Sequence, residues 1–538
     1  MIYSIKKILL ATVLVLTSVQ TTYGQTISAE QEAGIIKFNT LLSIVNDNYV
    51  DTVNNESMVE DAIVSVLKNL DPHSVYIPKK EVKKMNEPLE GNFEGIGIQF
   101  NILNDTITVV SPISGGPSEK LGIQSGDKIV NIEGEVVAGI KITNSGVAER
   151  LRGKKGTIVN VEIKRNGEKN LIPYDIERDK IPIYSVDASY MATPTIGYIK
   201  VNRFARNTTQ EFDEALKKLK IKGLEDLILD LRGNGGGYLS TAFSLADEFL
   251  SDNKMIVYTE GRSQAREEFK ATSRGFFEKG KLIVLIDEGS ASASEIVSGA
   301  IQDWDRGLII GRRSFGKGLV QRPYFLKDGS QIRLTTAKYY TPTGRSIQKP
   351  YDDGKDAYYK DILNRYEHGE LFTADSISFP DSLKFYTPNK RIVYGGGGIM
   401  PDMFVPIDTS MSSEFNSRLI RTGTYNTYVL NYLDKNRAIL ANQFKEFESF
   451  KSGFIIDQTF LTDFYDFAKN KKSLEPNEGD IEKSEKLISI QLKALMARNL
   501  YDVSAYFEII NELNESYIEA LRVLEDKNYA GMLDKVSK

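Results

Sequence analysis

The chain has 538 residues, 41% hydrophobic and 26% charged, a composition that excludes disorder over most of its length. Basic residues number 68 and acidic ones 73, a net charge of −5 without the basic excess of a general nucleic-acid binder. The absence of cysteine rules out a thiol nucleophile, Cys-ligated zinc, iron–sulfur clusters and disulfides. With only His73 and His368, a His-rich metal site is out of reach and any Ser–His–Asp triad must use one of the two.

At roughly 150 residues per domain the length suggests three or four domains. In residues 1–24, Lys6 and Lys7 precede an apolar run from Ile8 to Val19, and small or weakly polar residues lead to Gly24. This is the pattern of a signal peptide cleaved near Gly24, and the run is shorter than the roughly 20 apolar residues that span a bilayer. The expectation is an exported, soluble, periplasmic chain, long enough to bury a core without disulfides. Residues 25–87 form an N-terminal helical region, with Ile35, Phe38, Leu41, Leu42 and Val45, then Val59, Ile63, Val66 and Leu67, at helical spacing. LDPHSVYIP, from Leu70 to Pro78, follows these helices.

Residues 88–178 carry short apolar runs punctuated by Gly, Pro, Asn and Asp, which predicts a small β-rich barrel or sandwich. Residues 179–408 alternate strands and helices and predict an α/β core. The predicted strands are 196–201, 226–232 and 281–287; the predicted helices are 210–220, one around 241–250, and ASASEIVSGAIQD. A polar, Tyr- and Asp-rich stretch at about 349–394 reads as an insertion or loop excursion. From 409 to 538 the chain reads as helical, with Phe447, Phe450, Phe460, Phe464 and Phe467 and a long amphipathic run from Ile481 to Leu524. No internal repeat is present.

Three segments can carry chemistry. GSASASEIVSGAIQD (289–303) follows an apolar strand and sets serines at a helix N-terminus, where free N–H groups stabilise an anion, although plain N-capping by Ser290 or Ser292 is the competing reading. SFGKGLVQ (314–321) holds Lys317 between glycines and apolar residues. Burial there favours a neutral amine able to act as general base, with Gln321 in reach of it; a loop lysine paired with a carboxylate is the alternative. DLRGNGGGYL (230–239) is a Gly-rich turn that brings backbone N–H groups close to a ligand, but it lacks the GxxxxGK-[ST] and GxGxxG patterns of nucleotide sites. Together they supply a hydroxyl nucleophile, an amine base and oxyanion donors, the Ser–Lys variant of acyl transfer.

On LDPHSVYIP, the β-rich stretch, DLRGNGGG, GSASASEIVSGAIQD, GRRSFGKGLVQ, LKDGSQIRLTTAKYYTPTGRSIQ and GIMPD, residues 35–408 resemble the carboxyl-terminal processing (tail-specific) serine peptidases. The resemblance implies a multidomain α/β protein: a crotonase/ClpP-like peptidase core, an inserted PDZ-like β-domain, and helical N- and C-terminal regions. It implies Ser292 as nucleophile, Lys317 as base and Gln321 as support for that lysine. The oxyanion donors fall on Ala293 and Gly236, chosen over Gly235 where this chain reads NGGG and many relatives read NPGG. In the PDZ-like stretch, Gly95, Ile96, Gly97 and Ile98 would receive a peptide's C-terminal carboxylate and strand, and Val147 and Leu151 its apolar end. Phe100 reads as core. No cofactor or metal is implied. The expected partners are proteins or peptides with free apolar C-termini, not nucleic acid, and the helical ends are candidates for a homodimer seam or an adaptor site. Two rivals use the same parts. A penicillin-interacting enzyme would need SxxK, SDN and KTG in order, and KTG is missing although Ser314–Lys317 and Ser251–Asn253 imitate the first two. A non-catalytic periplasmic PDZ scaffold with a degenerate core is the other.

Overall fold

The computed structural model describes residues 28–535; residues 1–24, expected to be a signal peptide, lie outside them. The chain divides into two compact units at Asn69/Leu70. In the first, helix Ala29–Asn48 starts with a capping box in which Ser28 Oγ accepts from Gln31 N (3.2 Å) and Gln31 Oε1 from Ser28 N (3.0 Å), and helix Asn55–Lys68 is capped by Asn54. Ile35, Ile36, Leu41 and Ile44 on the longer helix are exposed.

The second unit centres on a six-stranded sheet ordered Val186–Met191, Ile196–Val201, Asp226–Asp230, Leu282–Ile286, Leu308–Gly311, Met403–Phe404. The first pair is antiparallel and the rest are parallel. The inner strands are continuous apolar runs because helices cover both faces. Thr208–Ile221, Leu239–Asp247 and Ala293–Asp303 pack on one face, through Phe212, Leu245 and Val297. The C-terminal helix Glu515–Glu525 packs on the other, through Tyr517, Ala520 and Val523. A second sheet joins Val75–Ile77, Leu319–Phe325, Gln331–Tyr340, Met255–Gly261 and Gln264–Lys270. LDPHSVYIP thus leaves the helices behind and adds a strand to the core, Val75 pairing with Arg333.

The PDZ-like stretch is a six-stranded sheet around Ile107, Ile129, Val159 and Val161, with helix Asn144–Leu151 against it. The antiparallel ribbon Asn92–Gly95/Asp179–Pro182 joins it to the core.

Two segments differ from expectation. The polar 349–394 stretch is organised, with helix Lys355–Glu367 and the strand pair Lys384–Tyr386/Ile392–Tyr394. Its interior is charged: Arg391 is buried on Asp305 (2.6 Å) and Asp402 (2.7 Å), and Arg365 on Asp361 (3.0 Å). Hydropathy reads such pairs as surface. The run Ile481–Leu524 is broken into helices Asp480–Leu500, Val503–Ile510 and Glu515–Glu525, the latter two capped by Asp502 and Asn514. The expected phenylalanines lie in that helical region's core. Among the described residues no helix is long and apolar enough to cross a membrane.

Candidate active site

Strands Asp226–Asp230 and Leu282–Ile286 are parallel neighbours, Asp230 pairing with Leu285, so the loops at their C-terminal ends emerge side by side. The first is the glycine turn. Asp230 is fully buried and accepts from Arg232 N and Nε (2.9 Å each) and from Tyr198 Oη (2.5 Å). Burial works against its ionisation, but Arg232 and Lys200 hold the carboxyl well below the usual aspartate range. Asn234 then staples this turn to the second loop: its carbonyl accepts from Ala291 N (3.0 Å) and Ser294 Oγ (2.8 Å). Gly236 has φ +99°, and a Cβ there would lie 2.8 Å from Ser292 Cβ and 3.0 Å from Ala293 N, so only glycine permits the contact.

The second loop presents three serines with different fates. Ser290 and Ser294 are fully buried and donate to the carbonyls of Leu231 and Asn234, both at 2.8 Å. Ser292 between them is only partly buried, donates its hydroxyl proton to none of the described residues, and has φ 57°, ψ −110°. Such a backbone costs about 1–3 kcal/mol and persists where the surroundings over-determine it. Here they do, because helix Ala293–Asp303 begins at the next residue and Ser292 N donates to Glu295 Oε2 (2.8 Å). Ala293 N, the first helical amide, donates to none of the described residues. Gly236 N donates to Asn234 Oδ1 (2.9 Å), so the glycine amide expected to serve an oxyanion is engaged within its own turn here.

Lys317 lines the same cleft, a cavity of about 550 Å³ shared with Ser292, Ala293, Gly236 and Gln321. Burial, reinforced by Arg333, holds its amine below the ordinary lysine value, although Glu295 pulls the other way. Two bridges fix its backbone to that of Ser292. Glu295 is fully buried: Oε2 accepts from Ser292 N and Lys317 N (2.8 and 2.9 Å), and Oε1 from Gly316 N (2.7 Å) and Ser314 Oγ (2.5 Å). Burial raises the Glu295 carboxyl above the usual glutamate range, which the four donors oppose. From the other side, Tyr339 Oη lies 2.6 Å from Lys317 O and 3.1 Å from Ser292 O, and burial keeps the phenol protonated by pushing its pKa well up.

Gln321 is held by a short relay. Its Nε2 donates to Thr335 Oγ1 (3.3 Å), which donates to Asp71 Oδ1 (3.0 Å) of LDPHSVYIP. Asp71 also accepts from the His73 and Ser74 amides (2.8 and 2.9 Å). His73 Nε2 lies 2.9 Å from Tyr358 Oη, and burial with the nearby Lys317 lowers its pKa to about 3, so the ring is neutral. The 349–394 segment braces the lysine loop from behind: Arg365 donates to the carbonyls of Ser314 (2.8 Å) and Phe315 (3.2 Å). Ser314 is fully buried, its hydroxyl donating to Glu295 and accepting from Ile399 N (2.6 Å).

In the PDZ-like domain, strand Ile98–Leu103 lies at the edge of its sheet, its one partner strand being Thr106–Pro112. Gly97 has φ +74° and begins the approach to it. Gly95 pairs with Asp179 in the connecting ribbon. Ile96, Val147 and Leu151 are buried in the domain's core, while Ile98 and Phe100 pack partly buried against it.

Comparison with known proteins gives this arrangement a family. Models match peptidase family S41 over residues 195–354, a PDZ domain over 95–174, and a family of unknown function (DUF8443) over 415–502. A carboxy-terminal-processing protease of Bartonella bacilliformis is 38% identical over 319 residues, 58% of this chain and 72% of that protein. Carboxy-terminal processing protease CtpB of Bacillus subtilis is 35% identical over 325 residues, 60% of this chain and 67% of its own. The chain belongs to the carboxy-terminal processing proteases of peptidase family S41. Among solved structures, a photosystem II D1 C-terminal processing protease is 29% identical, covering 58% of this chain and 83% of its own with a TM-score of 0.34.

For a serine-type protease of this family, the groups that sequence reasoning passed over are those that fix the backbones of Ser292 and Lys317 to one another. Glu295 carried a readable signal, since S-x-x-E at the head of a helix is a capping-box spacing. Tyr339 and Thr335 carried none, because both read as ordinary strand residues. Glu295→Gln replaces one carboxylate oxygen with an amide NH2 facing two donors, and each buried donor left unpaired costs about 1–3 kcal/mol. The variant is expected to melt lower and to lose kcat more than KM rises. An unchanged kcat in a folded Glu295→Gln protein would mean that the bridge does not set the Ser292–Lys317 geometry.

Proposed function

We propose that this S41 protease is an exported, periplasmic endopeptidase that cleaves proteins through an acyl-enzyme on Ser292, with neutral Lys317 as general base. The observation that carries this reading is that Ser292 alone of its serine trio keeps a free hydroxyl proton, in the cleft that also holds the desolvated Lys317. The amine takes that proton as Oγ attacks the carbonyl carbon. The oxyanion meets Ala293 N–H and the Gly236 amide, which exchanges Asn234 Oδ1 for the new negative charge. Lys317 then returns the proton to the departing amine, and in the second half it deprotonates the water that frees Ser292. Gln321, whose Nε2 is committed to Thr335, has Oε1 left to accept from Lys317 and hold it in register.

The PDZ domain is proposed to receive the substrate's free C-terminus on Gly95, Ile96, Gly97 and Ile98, as a strand added to the edge Ile98–Leu103. Val147 and Leu151 contribute as the buried floor beneath the groove. Incubating the mature chain with an unfolded protein that ends in apolar residues, followed by mass spectrometry, tests the activity. Amidating that tail removes charge-assisted bonds of about 1.5–3 kcal/mol each and is expected to raise apparent KM roughly ten- to a hundred-fold. Equal cleavage of free and amidated tails at sub-saturating concentration would remove the tail-recognition part and leave the chemistry standing.

A further inference from the structure

We infer that Arg333 forms a carboxylate-binding subsite inside the catalytic cleft, taking an acidic side chain beside the scissile bond or the free α-carboxylate of a short substrate tail. This rests on the Ser292–Lys317 reading for the position of the scissile bond. Strand pairing puts Gln321 opposite Thr335 and Pro323 opposite Arg333, and in a strand alternate residues share a face. Arg333 therefore stands one pleat repeat beyond the Gln321–Thr335 contact, on the same cleft wall, and it lines the same cavity as Ser292 and Lys317. Two strand residues span about 6.6 Å, so an extended substrate brings a residue two or three positions from the scissile bond to the guanidinium.

The guanidinium is held and left incomplete. Its Nη2 donates to Asn86 Oδ1 (2.8 Å) and Met85 O (3.3 Å) on helix Lys79–Glu90, and Asn86 is itself tied to Gln331 Oε1 (3.1 Å). Nε and Nη1 donate to none of the described residues, and no described carboxylate lies within ion-pair distance of Arg333. The one acid lining the cleft, Glu90, is spent on Arg206 (3.0 Å) and Tyr238 (2.9 Å). A partly buried arginine without a counter-charge has lost part of its hydration without regaining an ion-pair partner, and burial pulls its pKa below the ordinary value. A planar carboxylate matches its two open N–H groups side by side. Arg333 also disfavours the charged form of Lys317, so a carboxylate bound on Arg333 offsets that effect and leaves the amine easier to protonate.

The test is binding to the full chain carrying Ser292→Ala, which stands whether or not Ser292 proves to be the nucleophile; cleavage by the unaltered chain decides that separately. Fluorescent peptides of one apolar sequence are compared as amidated neutral peptides, as amidated peptides with Glu or Gln scanned along the chain, and as neutral peptides with a free C-terminus. A carboxylate peptide is expected to bind about ten-fold tighter than its neutral counterpart. The Glu gain, or the part of the free-terminus gain that the PDZ domain does not supply, disappears in Arg333→Gln and partly returns in Arg333→Lys, while amidated neutral peptides bind all three alike, which controls for folding. Loss of the Glu gain assigns the subsite to acidic side chains, and a reduced free-terminus gain assigns it to the α-carboxylate. No Glu preference and no Arg333-dependent free-terminus preference, with both gains the same in Arg333→Gln as in the parent, overturns the proposal.

Discussion

Ser292→Ala is expected to remove cleavage, with kcat falling about 10⁶-fold, the scale on which removing a nucleophile abolishes covalent acyl transfer. The fold should be untouched. Alanine keeps the Cβ that rests near Gly236, the strained backbone is the same for both residues, and the hydroxyl supplies no donation to the described residues. Melting temperatures of the two proteins should therefore coincide while mass spectrometry finds no products from the variant. Ser314→Ala makes the opposite pattern. It deletes a buried hydroxyl that serves both Glu295 and Ile399 N, so stability drops by about 1–3 kcal/mol while the nucleophile survives. Full activity in Ser292→Ala with none in a folded Ser314→Ala would move the nucleophile to Ser314 and revive the SxxK reading.

The reason the two serines separate so cleanly also explains what the sequence could disclose. The alternation of apolar strands and helices from Ile196 to Asp303 is legible because each buried strand is a continuous apolar run and each helix follows a 3.6-residue period. Ser292 and Lys317 stand out because small and glycine residues surround them where a surface loop would carry polar ones, and it is the family resemblance that gives them their expected roles. What was not legible is how polar groups pair across distance. Glu295 meets Gly316 and Lys317 only once two loops fold together, and Asp71 reaches Thr335 across 264 residues of chain. The order inside the 349–394 segment was hidden for the same reason: a buried Arg391 between two aspartates has the composition of a loop. The second helical boundary, at Asn514, is likewise a tertiary matter. Its side chain caps helix Glu515–Glu525 through Tyr517 N (3.1 Å) and also receives Arg232, tying the C-terminal region to the start of the glycine turn. The residues expected to bind the tail show the limit from the other direction, since apolar positions beside a groove and apolar positions in a core share one sequence pattern; Ile96, Val147 and Leu151 are buried here.

Lys317→Arg is expected to disable the base, although it conserves charge and nearly conserves length. The guanidinium has a pKa above about 12 and stays protonated at any working pH, so it cannot accept the serine proton; loss of general-base catalysis lowers kcat about 10²–10⁴-fold. Lys317 differs because burial and the neighbouring Arg333 hold its amine below the ordinary lysine value, against the pull of Glu295. The sign of the pH dependence follows. Below that lowered pKa the competent neutral fraction grows ten-fold per pH unit, so log kcat/KM should rise with unit slope and level off above it, earlier than an exposed lysine would allow. Glu295→Gln removes the larger of the two nearby charges, Glu295 and Asp71, that favour the ammonium form, so the residual activity of that variant should level off at a lower pH than the parent. Arg333→Gln removes a charge that disfavours it and should shift the limb the other way. A profile flat from mildly acidic to alkaline pH, or one that moves with neither substitution, would exclude Lys317 as the group that takes the proton.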